Sequence, residues 1–150
     1  MKLATFSQAG STRIGVVRGD EIVDLSSAAP ELPRDLIGFL SAGSGARQRA
    51  GEVASAGTAR IPLSDVKLES PILRPPKLLA VGLNYADHVA ESGAQTPKLP
   101  TIFNKQSTCV TGAYDPVHMP RVSSALDYEG ALAFVIGKRC RHVPRARAPE

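Results

Sequence analysis

Residues 81–91 read Val81-Gly82-Leu83-Asn84-Tyr85-Ala86-Asp87-His88-Val89-Ala90-Glu91, and this stretch decides the fold because it passes from strand to helix. The apolar run Lys77–Leu83 predicts a buried strand, and Asn84 stands where a helix N-cap is expected. Tyr85–Ser92 has room for about two helical turns before Gly93, a residue that suits the position just past a helix end. The stretch therefore predicts a protein that contains both kinds of secondary structure.

The residues before this stretch predict a small structural domain. Three short apolar-rich runs indicate a strand meander: Lys2–Phe6, Arg13–Val17 and Glu21–Leu25. The Gly19-Asp20 pair between the last two runs is a tight-hairpin signal. Two stretches, Leu36–Leu40 and Ala46–Ala56, have the composition and spacing of helices. No cluster of catalytic side chains stands in this segment.

Prolines mark a domain boundary. Pro71, Pro75 and Pro76 interrupt regular structure, so we expect domains at residues 1–71 and 72–150. After residues 81–91, three further stretches favour strands: Thr101–Asn104, Thr108–Val110 and Leu126–Ile136. The predicted fold class is α+β.

Composition excludes several classes of protein. The net charge of +4 comes from the last residues, since residues 1–137 hold equal numbers of basic and acidic side chains. Basic residues confined to one end, without interleaved aromatics, indicate a solvated loop, so we expect no nucleic-acid partner. No run approaches the ~20 apolar residues of a membrane span, and the N-terminal residues do not resemble a signal peptide. Two sparse cysteines, Cys109 and Cys140, suit unpaired thiols, and we expect a cytoplasmic protein.

The predicted helix carries a candidate acid–base pair. His88 and Glu91 are three residues apart and therefore share a helix face. A carboxylate beside an imidazole orients the ring and supports its protonated form, as a general base requires. The alternative is that both side chains belong to a solvated helix face.

The predicted strand Leu126–Ile136 carries a second candidate. Alternation places Glu129 on one face with Ala131, Ala133 and Val135, so a carboxylate projects from an otherwise apolar surface. A buried carboxylate needs a cation or hydrogen-bond donors to offset its desolvation. The alternative is that Glu129 lies beyond the buried part of the strand, in water.

Three ordered motifs resemble those of the fumarylacetoacetate hydrolase family. They are residues 81–91, Pro100-Thr101-Ile102-Phe103-Asn104-Lys105, and the stretch that begins Asp127-Tyr128-Glu129-Gly130 and ends at Gly137. The first seventy residues also resemble the small N-terminal domain of many bacterial members. The resemblance implies the start of a mixed β-roll, a homodimer in the full-length family, and metal-assisted hydrolysis, isomerisation or decarboxylation of small oxo or enol dicarboxylates, usually in aromatic catabolism.

The resemblance also implies a role for each matching residue. His88 and Glu91 match the catalytic pair on a mobile helix that activates water. Lys105 and Tyr85 match substrate-binding positions, and Glu129 matches the first of two glutamates that hold Mg²⁺ or Mn²⁺.

Departures from the family pattern weaken this expectation. Ala131 stands at the second glutamate position, the third metal carboxylate would lie beyond Glu150, and Gln106 replaces a usual proline. We therefore expect weak or absent metal binding and impaired activity in this chain, which we interpret as a fragment, a truncated reading frame or a degenerate copy. The alternative function is a non-catalytic relative that acts as a binding or dimerisation module.

Overall fold

The computed structural model describes residues 1–149, and the first part of the chain forms a five-stranded antiparallel sheet. Its strands are β1 (Lys2–Gln8), β2 (Ser11–Arg18), β3 (Glu21–Asp24), β4 (Arg60–Pro62) and β5 (Lys67–Leu68), in the spatial order β4-β3-β2-β1-β5. The predicted meander is confirmed, and Gly19 takes the positive φ of 59° that the tight turn between β2 and β3 requires.

Three helices cover one face of this sheet. They are α1 (Leu25–Ala28), α2 (Leu36–Ser41) and α3 (Gly43–Ala56), so both predicted helical stretches are confirmed. Asp24 and Asp35 are the N-caps of α1 and α2, and each carboxylate accepts backbone N–H groups that the helix leaves unpaired. Phe39 of α2 and Ile14 of β2 are fully buried members of one apolar cluster between helices and sheet.

A buried ion pair lies beside this core. Arg13 Nε donates to Asp24 Oδ2 at 2.7 Å, and the exposed fraction of the Asp24 side chain is 3%. The same carboxylate accepts from the Ser26 N–H at 2.9 Å and from Ser27 Oγ at 2.8 Å. The Arg13 guanidinium also lies over the Phe6 ring, 5.0 Å from its centroid. The Arg13 guanidinium therefore balances the charge of Asp24, and both carboxylate oxygens accept hydrogen bonds, as a buried carboxylate requires.

The second part of the chain contains a two-stranded antiparallel sheet and one helix. Strands β6 (Leu78–Gly82) and β7 (Thr101–Lys105) pair, and α4 (Ala86–Glu91) lies between them in sequence. Both strands and the helix were predicted, but the expectation of a buried β6 is wrong. The residues of β6 alternate between half-buried and exposed, and Leu79 is 59% exposed. The reason is that, within residues 1–149, β6 pairs with one strand and no second layer covers its outer face.

Two predicted strands are not formed. Thr108–Val110 lies at a short 3-10 helix, Ser107–Cys109, and Leu126–Ile136 has no regular structure. A strand requires a hydrogen-bonded neighbour, and no described segment pairs with Leu126–Ile136. Two further 3-10 helices occur, at Leu63–Asp65 and Arg145–Arg147.

The fold class is α+β, as predicted. Cys109 and Cys140 are both exposed and unpaired, as expected. Within residues 1–149, no helix is long and apolar enough to cross a membrane.

Candidate active site

Helix α4 has a hydrogen-bonded C-terminal end but no side-chain cap at its N-terminus. The predicted N-cap is displaced by one residue, because Tyr85 rather than Asn84 occupies it, without a side-chain hydrogen bond. At the other end Gly93 has a φ of 64°. Its N–H donates to the Ala90 carbonyl, and the Ala94 N–H donates to the Val89 carbonyl, both at 3.2 Å. These two bonds form a Schellman motif, which holds the C-terminal turn of the helix.

His88 and Glu91 lie on the solvent side of this helix. Val89 is buried, and at 100° per residue His88 and Glu91 lie together on the face opposite Val89 and Ala86. Both side chains are exposed, and neither has a hydrogen bond or ion pair in the described part of the chain. The structure therefore brings the two residues to one accessible face, as their spacing predicts, without a bond between them.

The connection from β6 to α4 is strained. Leu83 has a φ of 51°, in the left-handed region that a branched side chain seldom adopts. Strained backbone at such a junction persists when the surrounding structure requires it, and such positions are common at functional sites. Here the conformation turns the chain directly from the strand into the helix that carries His88.

A cleft of about 360 Å³ lies beside this junction. It is lined by the end of β6, by Asn84, by Ala86 and Val89 on the buried side of α4, and by residues 96–100. His88 and Glu91 do not line it, so the cleft and the candidate acid–base pair lie on different sides of the helix.

Lys105 ends strand β7, opposite Leu78 of β6. Its Nζ lies 5.8 Å from the centroid of the Phe103 ring, two residues earlier on the same face of the strand. A contact of this length is a weak cation–π interaction. Within residues 1–149, no carboxylate lies within ion-pair distance of Lys105, so the exposed ammonium group is accessible to an anionic group.

The Tyr85 hydroxyl contacts protein in this structure. It accepts a hydrogen bond from the Leu132 N–H at 2.8 Å and so joins the start of α4 to the segment that carries Glu129 and Ala131. The sequence did not predict this contact, because the two residues are 47 positions apart and neither has a pattern that indicates the other.

Glu129 is exposed and has no partner among the described contacts. Position 131 offers a methyl group where the resemblance requires a second carboxylate. Within residues 1–149, no three His, Cys, Asp or Glu side chains are close enough to hold a metal ion. Mg²⁺ needs near-ideal octahedral geometry and is usually held by one or two protein carboxylates with waters and substrate. The described residues, with one carboxylate in this place, therefore do not fit a metal centre.

A polar cluster missed by the sequence analysis joins the two parts of the chain. Lys67 Nζ lies 2.6 Å from Asp115 Oδ1 and 3.3 Å from Glu69 Oε2. The Asp115 carboxylate also accepts from the Gly112 N–H at 2.8 Å and from Thr111 Oγ1 at 3.1 Å. Lys67 first, and then the Gly112 N–H, hold the pKa of Asp115 below its usual range, while Asp115 chiefly raises the pKa of Lys67. No local motif could have predicted a contact between β5 and this distant turn.

Comparisons with known proteins cover almost the whole chain. Residues 77–150 match the family described as fumarylacetoacetate (FAA) hydrolase C-terminal, and residues 1–71 match the family described as Rv2993c-like, N-terminal. Oxaloacetate tautomerase Fahd2a, mitochondrial, from Rattus norvegicus is 40% identical over 125 residues, which are 83% of this chain and 40% of that protein. Protein Rv2993c from Mycobacterium tuberculosis is 47% identical over 87 residues, which are 58% of this chain and 32% of that protein.

Solved structures show the same relationship. Maleylpyruvate hydrolase from Sphingobium sp. SYK-6, in complex with manganese (II) ion and pyruvate, has a TM-score of 0.60 and 35% identity over 81% of this chain and 43% of its own. Fumarylacetoacetate hydrolase from Exiguobacterium antarcticum has a TM-score of 0.59 and 27% identity over 78% of this chain and 39% of its own. The matched part of this chain covers less than half the length of each of these four proteins.

Proposed function

The chain belongs to the fumarylacetoacetate hydrolase family, and from that membership we propose that the protein hydrolyses, isomerises or decarboxylates small oxo or enol dicarboxylates. Relatives of this chain are enzymes named for a tautomerase and a hydrolase activity. Oxaloacetate, maleylpyruvate and pyruvate share a carboxylate next to an oxo group, with an acidic carbon on its other side. We propose that this shared unit is what the protein recognises.

The observation that carries the proposal is the exposed face of α4. His88 and Glu91 lie there together, on a helix whose C-terminal end is held by a Schellman motif. In the proposed reaction, His88 takes a proton from the substrate carbon or from an attacking water. Glu91 accepts a hydrogen bond from the other ring N–H of His88 and stabilises the imidazolium. A change of side-chain rotamer can form this hydrogen bond, because both residues lie on one face of the helix.

Lys105 and Tyr85 are the proposed substrate-binding residues. The accessible Lys105 ammonium group would pair with the substrate carboxylate, which has the complementary charge. The Tyr85 hydroxyl keeps a free donor hydrogen while it accepts from the Leu132 N–H, and that hydrogen can be donated to a substrate oxygen. Neither role requires a change in the hydrogen bond between Tyr85 and Leu132.

Mg²⁺ or Mn²⁺ remains the proposed cofactor of the family function, supported by the manganese in the related maleylpyruvate hydrolase. Glu129 is the proposed ligand in this chain. Since the described residues do not fit a complete metal centre, no step of the proposed reaction depends on the ion. We propose that binding is weak or absent and that activity is impaired in consequence.

Activity measurements with paired variants of α4 test the proposal. We expect slow loss of oxaloacetate enol absorbance with the unmodified chain, and a decrease of about a hundredfold or more in the catalysed rate for His88→Ala. Asp87→Ala is the matched control, because Asp87 is an exposed neighbour on the same helix and has no proposed role. Equal rates for the two variants would show that His88 is not the base.

A non-catalytic binding or dimerisation module is the second candidate, and Ala131 is the observation that favours it. The variant Ala131→Glu separates the two candidates, because it adds the carboxylate that the resemblance requires. We would titrate Mn²⁺ calorimetrically into both chains and assay a panel of 2-oxo and β-dicarbonyl acids. Metal binding with turnover in the variant supports the enzyme, whereas metal binding with no turnover of any substrate supports the module.

Several broader points are proposals of the same kind. We propose domains at residues 1–71 and 72–150, a role in aromatic catabolism, a homodimer and a cytoplasmic location. The two family matches, to residues 1–71 and 77–150, support the domain division. The rat relative is named as mitochondrial.

A further inference from the structure

The connector between the two parts of the chain is fixed at its start and unbonded at its end. The Glu69 N–H donates to the Thr5 carbonyl at 2.9 Å, and Thr5 Oγ1 donates to the Pro71 carbonyl at 2.7 Å. Ile72 packs against the apolar core of the first part. Residues 73–77, in contrast, make no hydrogen bond among the described contacts. The connector is therefore held on the first part as far as Ile72 and is free of hydrogen bonds from there to β6.

One ion pair bridges the two parts beside this connector. Among the described ion pairs and hydrogen bonds, the pair of Lys67 in β5 with Asp115 is the one that joins residues 1–71 to residues 77–149. Within the described chain, no helix or strand of the first part packs extensively against a helix or strand of the second. The relative position of the two parts therefore depends on this ion pair and on the connector.

The contact at this ion pair is close. The Asp115 N–H donates to the Gly112 carbonyl at 3.2 Å, and the Asp115 carboxylate accepts from the Gly112 N–H. A Cβ atom at residue 112 would lie 2.8 Å from Asp115 Oδ2 and 3.0 Å from Glu69 Oε2, so the absence of a side chain there lets the turn approach Glu69. Lys67 Nζ contacts both carboxylates, at 2.6 Å from Asp115 and 3.3 Å from Glu69, and offsets their mutual repulsion.

The same ion pair is accessible to solvent. The exposed fractions of the Lys67 and Asp115 side chains are 52% and 27%. Ion pairs with this exposure are weak, and salt screens them, because the Debye length falls from about 10 Å at 0.1 M to about 3 Å at 1 M ionic strength. The contact is therefore well defined when it is formed and is easily opened.

We propose that Lys67 and Asp115 form a reversible latch between the two parts of the chain. When the latch is closed, the turn at residues 112–115 is held at the end of β5 and the two parts move as one body. When the latch is open, the second part moves about residues 73–77. The proposal goes beyond the proposed function and does not depend on whether the chain is catalytic.

Nitrogen-15 relaxation tests the latch, because it gives a rotational correlation time for each part separately. Amides of β1 to β3 report on the first part, and amides of β6 and β7 report on the second. The unmodified chain would be measured at about 20 mM and about 1 M NaCl. Lys67→Met, Asp115→Asn and the double variant would be measured at low salt and at the same protein concentration.

The variants are chosen to change charge with little change in shape. Asp115→Asn keeps an oxygen that can accept from the Gly112 N–H. Asp87→Asn is the matched control, because it makes the same charge change at an exposed residue of the second part that has no described partner. The salt comparison uses the unmodified chain, so it does not depend on the folding of any variant.

For the unmodified chain at low salt and for Asp87→Asn, we expect one correlation time common to both parts. At high salt and in both single variants, the two parts should have different correlation times, and the Gly112 amide should exchange at least about threefold faster. The double variant should match the single variants, because either substitution alone opens the latch. Different correlation times in the unmodified chain at low salt overturn the proposal. A common correlation time that persists at high salt or in either single variant overturns it as well.

Discussion

Both parts of this chain contain apolar strand segments, which are buried in the first part and largely exposed in the second. In residues 1–71, five strands form one sheet and three helices cover one of its faces, so Ile14, Val23 and Phe39 are fully buried. In residues 72–149, Leu79, Ile102 and Phe134 have comparable apolar side chains and are 59%, 61% and 81% exposed. Apolar character alone therefore does not decide burial, because an apolar face is buried only where another element packs against it.

The largest expected difference between the two parts concerns their phenylalanines. Phe39→Ala should lower the free energy of unfolding by about 3–5 kcal/mol, because it leaves a cavity in a closed core. Phe134→Ala should change it by less than about 0.5 kcal/mol, as for an exposed residue. Urea denaturation followed by circular dichroism measures both, with the chain held at one concentration. Equal losses for the two variants would show that residues 126–136 belong to the same cooperative core.

A smaller difference is expected between two ion pairs of similar length. Arg13 and Asp24 are 2.7 Å apart, and Lys67 and Asp115 are 2.6 Å apart, but 3% of the Asp24 side chain is exposed against 27% of Asp115. Asp24→Ala should lower the free energy of unfolding by about 3 kcal/mol, since it leaves the Arg13 charge without its partner. Asp115→Ala should have a much smaller effect, and one that salt diminishes further. Denaturation curves of both variants at low and high salt measure the two losses. An equal salt dependence for Asp24→Ala and Asp115→Ala would contradict this account.

The smallest effect is a pH dependence confined to the link between the two parts. Lys67 lowers the pKa of Asp115 in the folded chain. The ionised Asp115 therefore stabilises the fold above the ordinary aspartate pKa of about 3.9, and this stabilisation is lost as the pH falls through the lower pKa of the folded chain. The chemical shift of the Gly112 N–H, which donates to Asp115, should report this titration. In Lys67→Met the midpoint should rise toward the ordinary value. An unchanged midpoint would mean that Lys67 does not set the pKa.

Local patterns predicted most of the first part of the chain. Strands β1 to β3 followed from apolar runs and turn residues, and α2 followed from the apolar spacing of Leu36–Leu40. These features are decided by contacts between residues close in sequence. Strands β4 and β5 were not predicted, since three and two residues carry too little pattern and pair with distant strands.

The candidate site was predicted in part for the same reason. His88 and Glu91 share a face because helical spacing is local, and Gly93 ends the helix as expected. The roles of Lys105, Tyr85 and Glu129 stay predictions, because each depends on what a distant part of the molecule places beside it. The bond between Tyr85 and Leu132, and the cluster of Lys67 with Asp115, could not have been inferred from spacing.

The amino-acid sequence by itself determined the α+β class, the family, the meander, the helix at residues 86–91 and the absence of a second carboxylate at Ala131. The tertiary structure alone decided that β6 is half exposed, that Leu126–Ile136 forms no strand, and that Asp24 is a buried carboxylate paired with Arg13. The physical reason is that turns, caps and helical faces depend on neighbours along the chain. Burial and strand pairing depend on surfaces that meet only when the chain has folded.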